Sequence, residues 1–161
     1  MKEQPTAVFP GSFDPVTKGH EYIIKTAVPL FKKIIIAIGE NSSKKSMFPL
    51  EQRKEWLQKT FSAYDNIEID SYNCLTVDSC KLKNANFIIR GLRNAMDFIY
   101  EQNIDTINNE LCGGIQSVFF ISPKEYTHVS SSFVKEMILY NKDINKYLPQ
   151  AISDKDIKLS L

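Results

Sequence analysis

Residues 9–24 read FPGSFDPVTKGHEYII and join two segments of opposite character. The apolar segment TAVF, residues 6–9, leads into this stretch and is typical of a short strand, whereas HEYIIKTAV, residues 20–28, is typical of a helix. The residues between them include Gly11, Pro15 and Gly19, which favour a tight loop. The stretch therefore predicts a strand, a loop and a helix in immediate succession, with His20 at the mouth of the helix.

The same alternation of strand and helix recurs four more times along the chain. Further strands are predicted at residues 33–40, 66–72, 86–91 and 117–122, and helices at 49–61, 75–85, 94–111 and 130–140. Pro49 is expected in the first turn of its helix, and Pro29 is expected to kink or end the first helix. Five such units predict an α/β fold: a single Rossmann-like domain over residues 1–161, with a five-stranded parallel sheet and helices on both faces. The tail, residues 149–161, is expected to be a short helix or a frayed end.

Composition narrows the classes of function. The 161 residues carry a net charge of +1, so no excess of basic residues indicates binding to nucleic acid. The longest apolar run, IIIAI, is too short to cross a membrane, and the first residues, MKEQPTAV, lack a signal-peptide core. The three cysteines form no CxxC pair and no zinc pattern with the two histidines. We therefore expect a cytoplasmic protein that binds neither membrane nor nucleic acid.

Polar residues follow the predicted strands, where ligands bind in sheets of this kind. Lys44 and Lys45 follow the second strand, Arg90 and Arg93 end or follow the fourth, and hydroxyls and glycines begin several helices. Cations and helix N-termini are what phosphate groups need. Walker A and GxGxxG patterns are both absent from the sequence. Each glycine or serine could be an ordinary turn or cap residue, but their convergence at one sheet edge favours a phosphate site of another kind.

Several stretches resemble a known family. TKGH at residues 17–20 and VSSSFVK at 129–135 are similar to the two signatures of the T/HxGH nucleotidyltransferase superfamily. Within it, SSKKSMF at 42–48, IIRGLRNAMDFIYE at 88–101 and PKEYTHVSSS at 123–132 resemble bacterial phosphopantetheine adenylyltransferases. The resemblance runs from about residue 7 to 149, and it implies the nucleotidyltransferase variant of the Rossmann-like fold.

The resemblance also implies roles for individual residues. His20 matches the histidine that contacts ATP phosphate and stabilises the transition state. The implied ATP contacts are Ser12, Phe13, His20, Gly91, Leu92, Arg93, Glu101, Tyr126, Thr127, His128, Val129, Ser130, Ser131 and Ser132. The implied acceptor contacts are Ser12, Lys44, Leu75, Thr76 and Arg90. Thr76 replaces the more usual apolar residue, and Lys135 stands where many superfamily members have arginine.

The implied reaction is ATP plus 4′-phosphopantetheine giving dephospho-coenzyme A (dephospho-CoA) and pyrophosphate, the penultimate step of coenzyme A synthesis. The resemblance implies Mg²⁺ arriving with ATP and no metal ligand from the protein, coenzyme A (CoA) as a feedback inhibitor, and a homohexamer. The nucleophile is a phosphate oxygen that is already ionised, so no general base is required. Asp14 is either a turn or cap residue or an indirect contact. Two alternatives stay open: a superfamily transferase with another acceptor phosphate, and a non-catalytic nucleotide-binding module.

Overall fold

The computed structural model describes residues 4–40 and 45–158, and the predicted alternation of strands and helices is confirmed. The strands are β1 (Thr6–Gly11), β2 (Lys33–Gly39), β3 (Ile67–Tyr72), β4 (Phe87–Leu92) and β5 (Gln116–Ile121). The helices are α1 (Lys18–Ala27), α2 (Leu50–Phe61), α3 (Thr76–Leu82), α4 (Ala95–Leu111), α5 (Ser131–Leu139) and α6 (Asp154–Lys158). Strand bounds differ from the prediction by at most two residues.

The five strands form one parallel sheet in the order β3-β2-β1-β4-β5, which confirms the predicted fold class. The chain builds outward from β1 to β3 and then returns to the other side of β1 with β4. The strand order therefore reverses between β1 and β4, which is where open α/β sheets bind their ligands.

The sheet opens at this reversal. β1 pairs with β2 along its whole length, to Gly11 opposite Ile38, but it pairs with β4 only at Ala7 and Val8. Beyond Val8 comes Pro10, which has no N–H with which to continue the ladder toward β4. The carboxyl ends of β1 and β4 therefore separate and leave a gap in the middle of the sheet.

Two apolar cores cover the two faces of the sheet. Alternate strand residues such as Ile34 and Ile36 pack against α1, α2 and α5, whereas Ile35 and Ala37 pack against α3 and the end of α4. This alternation is what a strand buried on both faces requires. β2 confirms it most clearly, because every residue between its two ends is buried.

Two of the prolines mark helix boundaries. Pro29 lies in the 3-10 turn Val28–Leu30 that follows α1, so the predicted end of the helix is confirmed. The prediction for Pro49 is wrong by one residue, because Pro49 is the N-cap and α2 begins at Leu50.

The described part of the tail forms the short helix α6, and Ile152 and Ile157 anchor it in the larger core. Within residues 4–40 and 45–158, every helix is too short or too polar for a bilayer crossing.

Candidate active site

A cavity of about 330 Å³ lies beyond the gap between β1 and β4. It is walled by the end of β1, the start of α1, the end of β4, the first half of α4 and the start of α5. The residues with predicted roles that line it are His20, Arg90, Gly91, Arg93, Glu101, Val129, Ser130 and Ser131. The structure thus brings together residues separated by more than a hundred positions in the sequence.

The loop between β1 and α1 packs tightly beneath the cavity. A Cβ atom at Gly11 would lie only 2.9 Å from the ring of Phe13, so glycine is needed there. Phe13 has a φ of 46°, in the left-handed region that non-glycine residues rarely adopt. This conformation turns the Phe13 ring into the core, where it packs edge-on against the ring of His20 at 5.0 Å between centroids.

The start of α1 fixes the orientation of His20. The Thr17 hydroxyl accepts a hydrogen bond from the His20 backbone N–H, and His20 Nδ1 accepts one from the Thr17 backbone N–H at 3.1 Å. This is a capping box with histidine in the place usually taken by Glu or Gln. Since Nδ1 is an acceptor, the proton of the neutral ring is on Nε2, which is then the donor left for a ligand in the cavity.

The environment keeps the His20 ring neutral. Burial against the core is the largest cause that lowers the pKa of His20 from 6.5 to about 4, and the charges of Arg93 and Arg90 lower it further. At neutral pH the ring is therefore an uncharged N–H donor in a cavity that also holds two arginines.

Arg90 spans the gap in the sheet. Its Nη1 donates to the Pro10 carbonyl at 3.2 Å, and its Nε donates to Glu101 Oε2 at 2.6 Å. Its Nη2 also donates to Glu101 Oε1, so Arg90 and Glu101 form a bidentate ion pair. Among the residues of α4, all of which the structure describes, Glu101 alone is buried. Glu101 thus pairs directly with Arg90 in the structure.

Arg93 is held by an acidic residue that the sequence analysis missed. Asp97 accepts from Arg93 Nε at 2.9 Å, from Nη2 at 3.1 Å and from its backbone N–H at 3.0 Å. Hydrogen bonding to Arg93 is the largest cause that lowers the pKa of Asp97. Both residues line the cavity. The i,i+4 spacing of Arg93 and Asp97 was the available signal for this pair.

Helix α5 also begins at the wall of this cavity. Ser130 caps the helix by accepting from the Phe133 backbone N–H, and the Ser131 hydroxyl donates to the Pro15 carbonyl at 2.8 Å. The N-termini of α1 and α5 therefore both lie at the cavity, and each contributes partial positive charge toward an anion.

A second cavity, of about 250 Å³, lies on the other side of Arg90. Pro10, Gly11, Arg90, Tyr100 and Glu101 line both cavities. The second cavity is also lined by Tyr72, Thr76, Asn108 and Ser117, three of which the sequence analysis did not single out. Among these, the Tyr72 and Thr76 hydroxyls are hydrogen-bonded to each other at 3.1 Å.

Other residues with predicted roles do not line either cavity. Ser12 is exposed and its carbonyl accepts from Arg53, while Leu92 ends β4. Leu75 is exposed at the N-cap of α3. The remaining residues of this kind are Phe13, Tyr126, Thr127, His128 and Ser132. Lys44 lies outside the described residues. The ATP and acceptor contacts of all these residues stay predictions.

Within residues 4–40 and 45–158, no group of three or more His, Cys, Asp or Glu side chains could hold a metal ion. The described site offers cations, neutral donors and helix N-termini, which suit a polyanion divided between two cavities that share part of their lining.

The cytidylyltransferase-like family profile matches residues 8–137, which include both walls of the first cavity. The solved structure of a bifunctional NMN adenylyltransferase/ADP ribose pyrophosphatase from Francisella tularensis shares the fold, with a TM-score of 0.73 and 17% identity. That likeness covers 97% of this chain and 48% of the other. Fold and profile together define a nucleotidyltransferase.

Relatives of higher identity define the particular family. The phosphopantetheine adenylyltransferase of Leptospira biflexa is 44% identical over 152 residues, which is 94% of this chain and 95% of that protein. The phosphopantetheine adenylyltransferase of Christiangramia forsetii is 44% identical over 149 residues, or 92% of this chain and 98% of the other. This chain belongs to the phosphopantetheine adenylyltransferase family.

Proposed function

We propose that the protein transfers the adenylyl group of ATP to 4′-phosphopantetheine, giving dephospho-CoA and pyrophosphate. The observation that carries the proposal is the placement of Arg90, which lines both of two neighbouring cavities at the switch point of the sheet. One cavity holds His20, Arg93 and two helix N-termini, and it suits a nucleoside triphosphate. The other is lined by hydroxyl and amide groups, and it suits the acceptor with its amide-containing arm.

The chemistry requires no general base. An oxygen of the acceptor phosphate attacks the α-phosphorus of ATP, and the bond from that phosphorus to the β-phosphate oxygen breaks. The attacking oxygen is ionised near neutral pH, so no proton has to be removed. The protein must instead align two anions and stabilise the negative charge that develops at the α-phosphate.

His20 and Arg90 divide these tasks. The Nε2–H of His20 donates to an α-phosphate oxygen, where charge increases as the acceptor attacks. Arg90 binds the acceptor phosphate beside it. Three of its five N–H groups are used by Glu101 and Pro10, which leaves two for phosphate without disrupting the ion pair. Arg93 and the start of α5 bind the remaining phosphates of ATP.

Magnesium enters as part of the substrate MgATP, because it binds readily between phosphate oxygens.

We further propose that CoA inhibits the enzyme, because CoA contains both the adenylyl and the pantetheine parts and would compete for both cavities. A cytoplasmic location is supported by Cys74, Cys80 and Cys112, which are all free thiols.

We also propose a homohexamer. Helix α4 carries exposed apolar side chains such as Met96, which is 71% exposed, and Ile121 at the end of β5 is 80% exposed. An apolar surface of this kind favours burial against another copy of the chain. Light scattering at micromolar concentration should give about six times the mass of one 18.5 kDa chain. A monomer under these conditions would refute the oligomer.

The test of the proposed function is acceptor choice. The protein is incubated with MgATP and, in turn, phosphopantetheine, nicotinamide mononucleotide or glycerol phosphate, and pyrophosphate release is measured. We expect clear preference for phosphopantetheine. Equal or faster turnover of another acceptor would refute the assigned acceptor, and no turnover with any acceptor would favour a non-catalytic nucleotide-binding module.

A further inference from the structure

A buried carboxylate lies just outside the walls of the first cavity. Asp14, in the loop between β1 and α1, is only 2% exposed. Its Oδ1 accepts from the Phe48 backbone N–H and its Oδ2 from the Met47 backbone N–H, each at 2.9 Å. Lys135 of α5 donates from Nζ to Oδ2 at 3.1 Å. A buried carboxylate needs such partners, and Asp14 has three.

These contacts join three separate segments of the chain. Asp14 belongs to the loop that leads into Thr17 and His20, Met47 and Phe48 precede α2, and Lys135 lies one turn beyond Ser131. The Ser131–Pro15 hydrogen bond ties α5 to the same loop a second time. The two walls of the first cavity that carry His20 and the start of α5 are therefore held to each other around Asp14.

A further side chain, that of Arg53, stabilises the same junction. Arg53 of α2 is buried, and it donates to the Phe48 carbonyl at 3.1 Å and to the Ser12 carbonyl at 2.8 Å. Phe48 itself packs against Trp56 in the core, with 4.9 Å between ring centroids. The turn that Asp14 binds is thus fastened to α2 and the core, whereas its link to α5 runs through Asp14 and Lys135.

We infer that Lys135 is a positioning residue, which acts through Asp14 to set His20 relative to the start of α5 and does not itself bind phosphate. The inference rests on the proposed function. Lys135 is not one of the described residues that line either cavity. Its ammonium group instead forms an ion pair with Asp14. Its charge thereby compensates a buried carboxylate. Small misplacement of a group that acts in the transition state lowers the rate strongly.

The test compares K135M, which removes the charge, with K135R, which keeps it, in steady-state kinetics with MgATP. We expect K135M to lower kcat about tenfold or more and to change the KM for ATP less than about twofold. K135R, which keeps the positive charge beside Asp14, should have a kcat within about threefold of the wild type. The matched control is K59M, which breaks the surface pair Lys59–Glu55 on α2 and should leave both constants unchanged.

A second comparison uses His20. If Lys135 acts through the placement of His20, K135M should lower kcat less than about twofold further in an H20A protein. Effects that multiply in the double variant would overturn the inference. So would a K135M protein with normal kcat and a raised KM for ATP, since that is the behaviour of a phosphate ligand.

K135M leaves Asp14 buried without its cationic partner and could fail to fold. The double variant D14N/K135M removes both charges together, and circular dichroism checks its fold. We expect it to show the same loss of kcat with a preserved KM for ATP, and normal kcat would overturn the inference. The wild type is first assayed with all three acceptors, and the variants with the preferred one. A wrong acceptor assignment and a wrong role for Lys135 therefore give different results.

Discussion

The two cavities meet at Arg90 but differ in how their polar groups are held. In the first cavity, His20 is fixed by the Thr17 cap and by two aromatic rings, and its pKa is lowered to about 4. In the second, the Tyr72 and Thr76 hydroxyls are hydrogen-bonded to each other at 3.1 Å. A rigid neutral donor suits charge that appears in the transition state, whereas paired hydroxyls suit recognition of a ground-state ligand. The difference predicts that changes in the first cavity alter kcat and changes in the second alter the KM for the acceptor.

The largest effect is expected from H20A. Losing one donor to a developing oxyanion costs about 10²–10³ in kcat. We expect a loss in that range with a small change in either KM, measured by steady-state pyrophosphate release. Circular dichroism serves as the folding control. A folded H20A protein with near-normal kcat would remove the distinction between the two cavities.

A smaller effect is expected from R90A, because Arg90 serves both cavities. Losing a charged donor to phosphate costs about 1.5–3 kcal/mol, so acceptor affinity should fall about tenfold or more, and more than ATP affinity. Calorimetric titration with each substrate measures both affinities. R90A also leaves the buried Glu101 carboxylate unpaired, so R90A/E101Q is the comparison that isolates the phosphate contact. Weakened ATP binding with normal acceptor binding would reverse the assignment of the two cavities.

The smallest effect is expected from T76V, which removes one hydroxyl from the second cavity. A neutral hydrogen bond contributes about 0.5–1.5 kcal/mol, so the KM for phosphopantetheine should rise roughly two- to tenfold while the KM for ATP stays the same. The control is T60V, whose hydroxyl donates to the Trp56 carbonyl within α2, away from both cavities. Equal changes in both KM values would show that the second cavity is not reserved for the acceptor.

The sequence carried enough information for the sheet and for part of the lining of the first cavity. Buried β-branched strands such as β2 and polar residues after each strand predict a parallel sheet with a site at one edge. The gap beside Pro10 was not predictable, because it depends on which strands become neighbours. The same holds for Arg90 pairing with Glu101 across eleven positions and for Asp14 meeting Lys135 across the whole domain. The sequence left Asp14 as either a turn or cap residue or an indirect contact, and only the packing of three segments reveals its partners.

The neutral state of His20 also could not be read from its position alone, since a histidine at a helix start beside two arginines is compatible with either charge state. Burial decides it. A histidine whose folded pKa is lowered binds fewer protons than in the unfolded chain. Its contribution to stability is therefore present above pH 6.5 and is lost as pH falls toward about 4.

The most direct test of a neutral His20 donor is an NMR titration of the histidine rings. The chain has two histidines, so selective ¹⁵N labelling gives two ring systems, and H128Q assigns them. We expect His20 to stay neutral through pH 7, with its proton on Nε2 and a pKa of about 4. Titration of His20 near its ordinary pKa of 6.5, or a proton on Nδ1 in the neutral ring, would contradict the account.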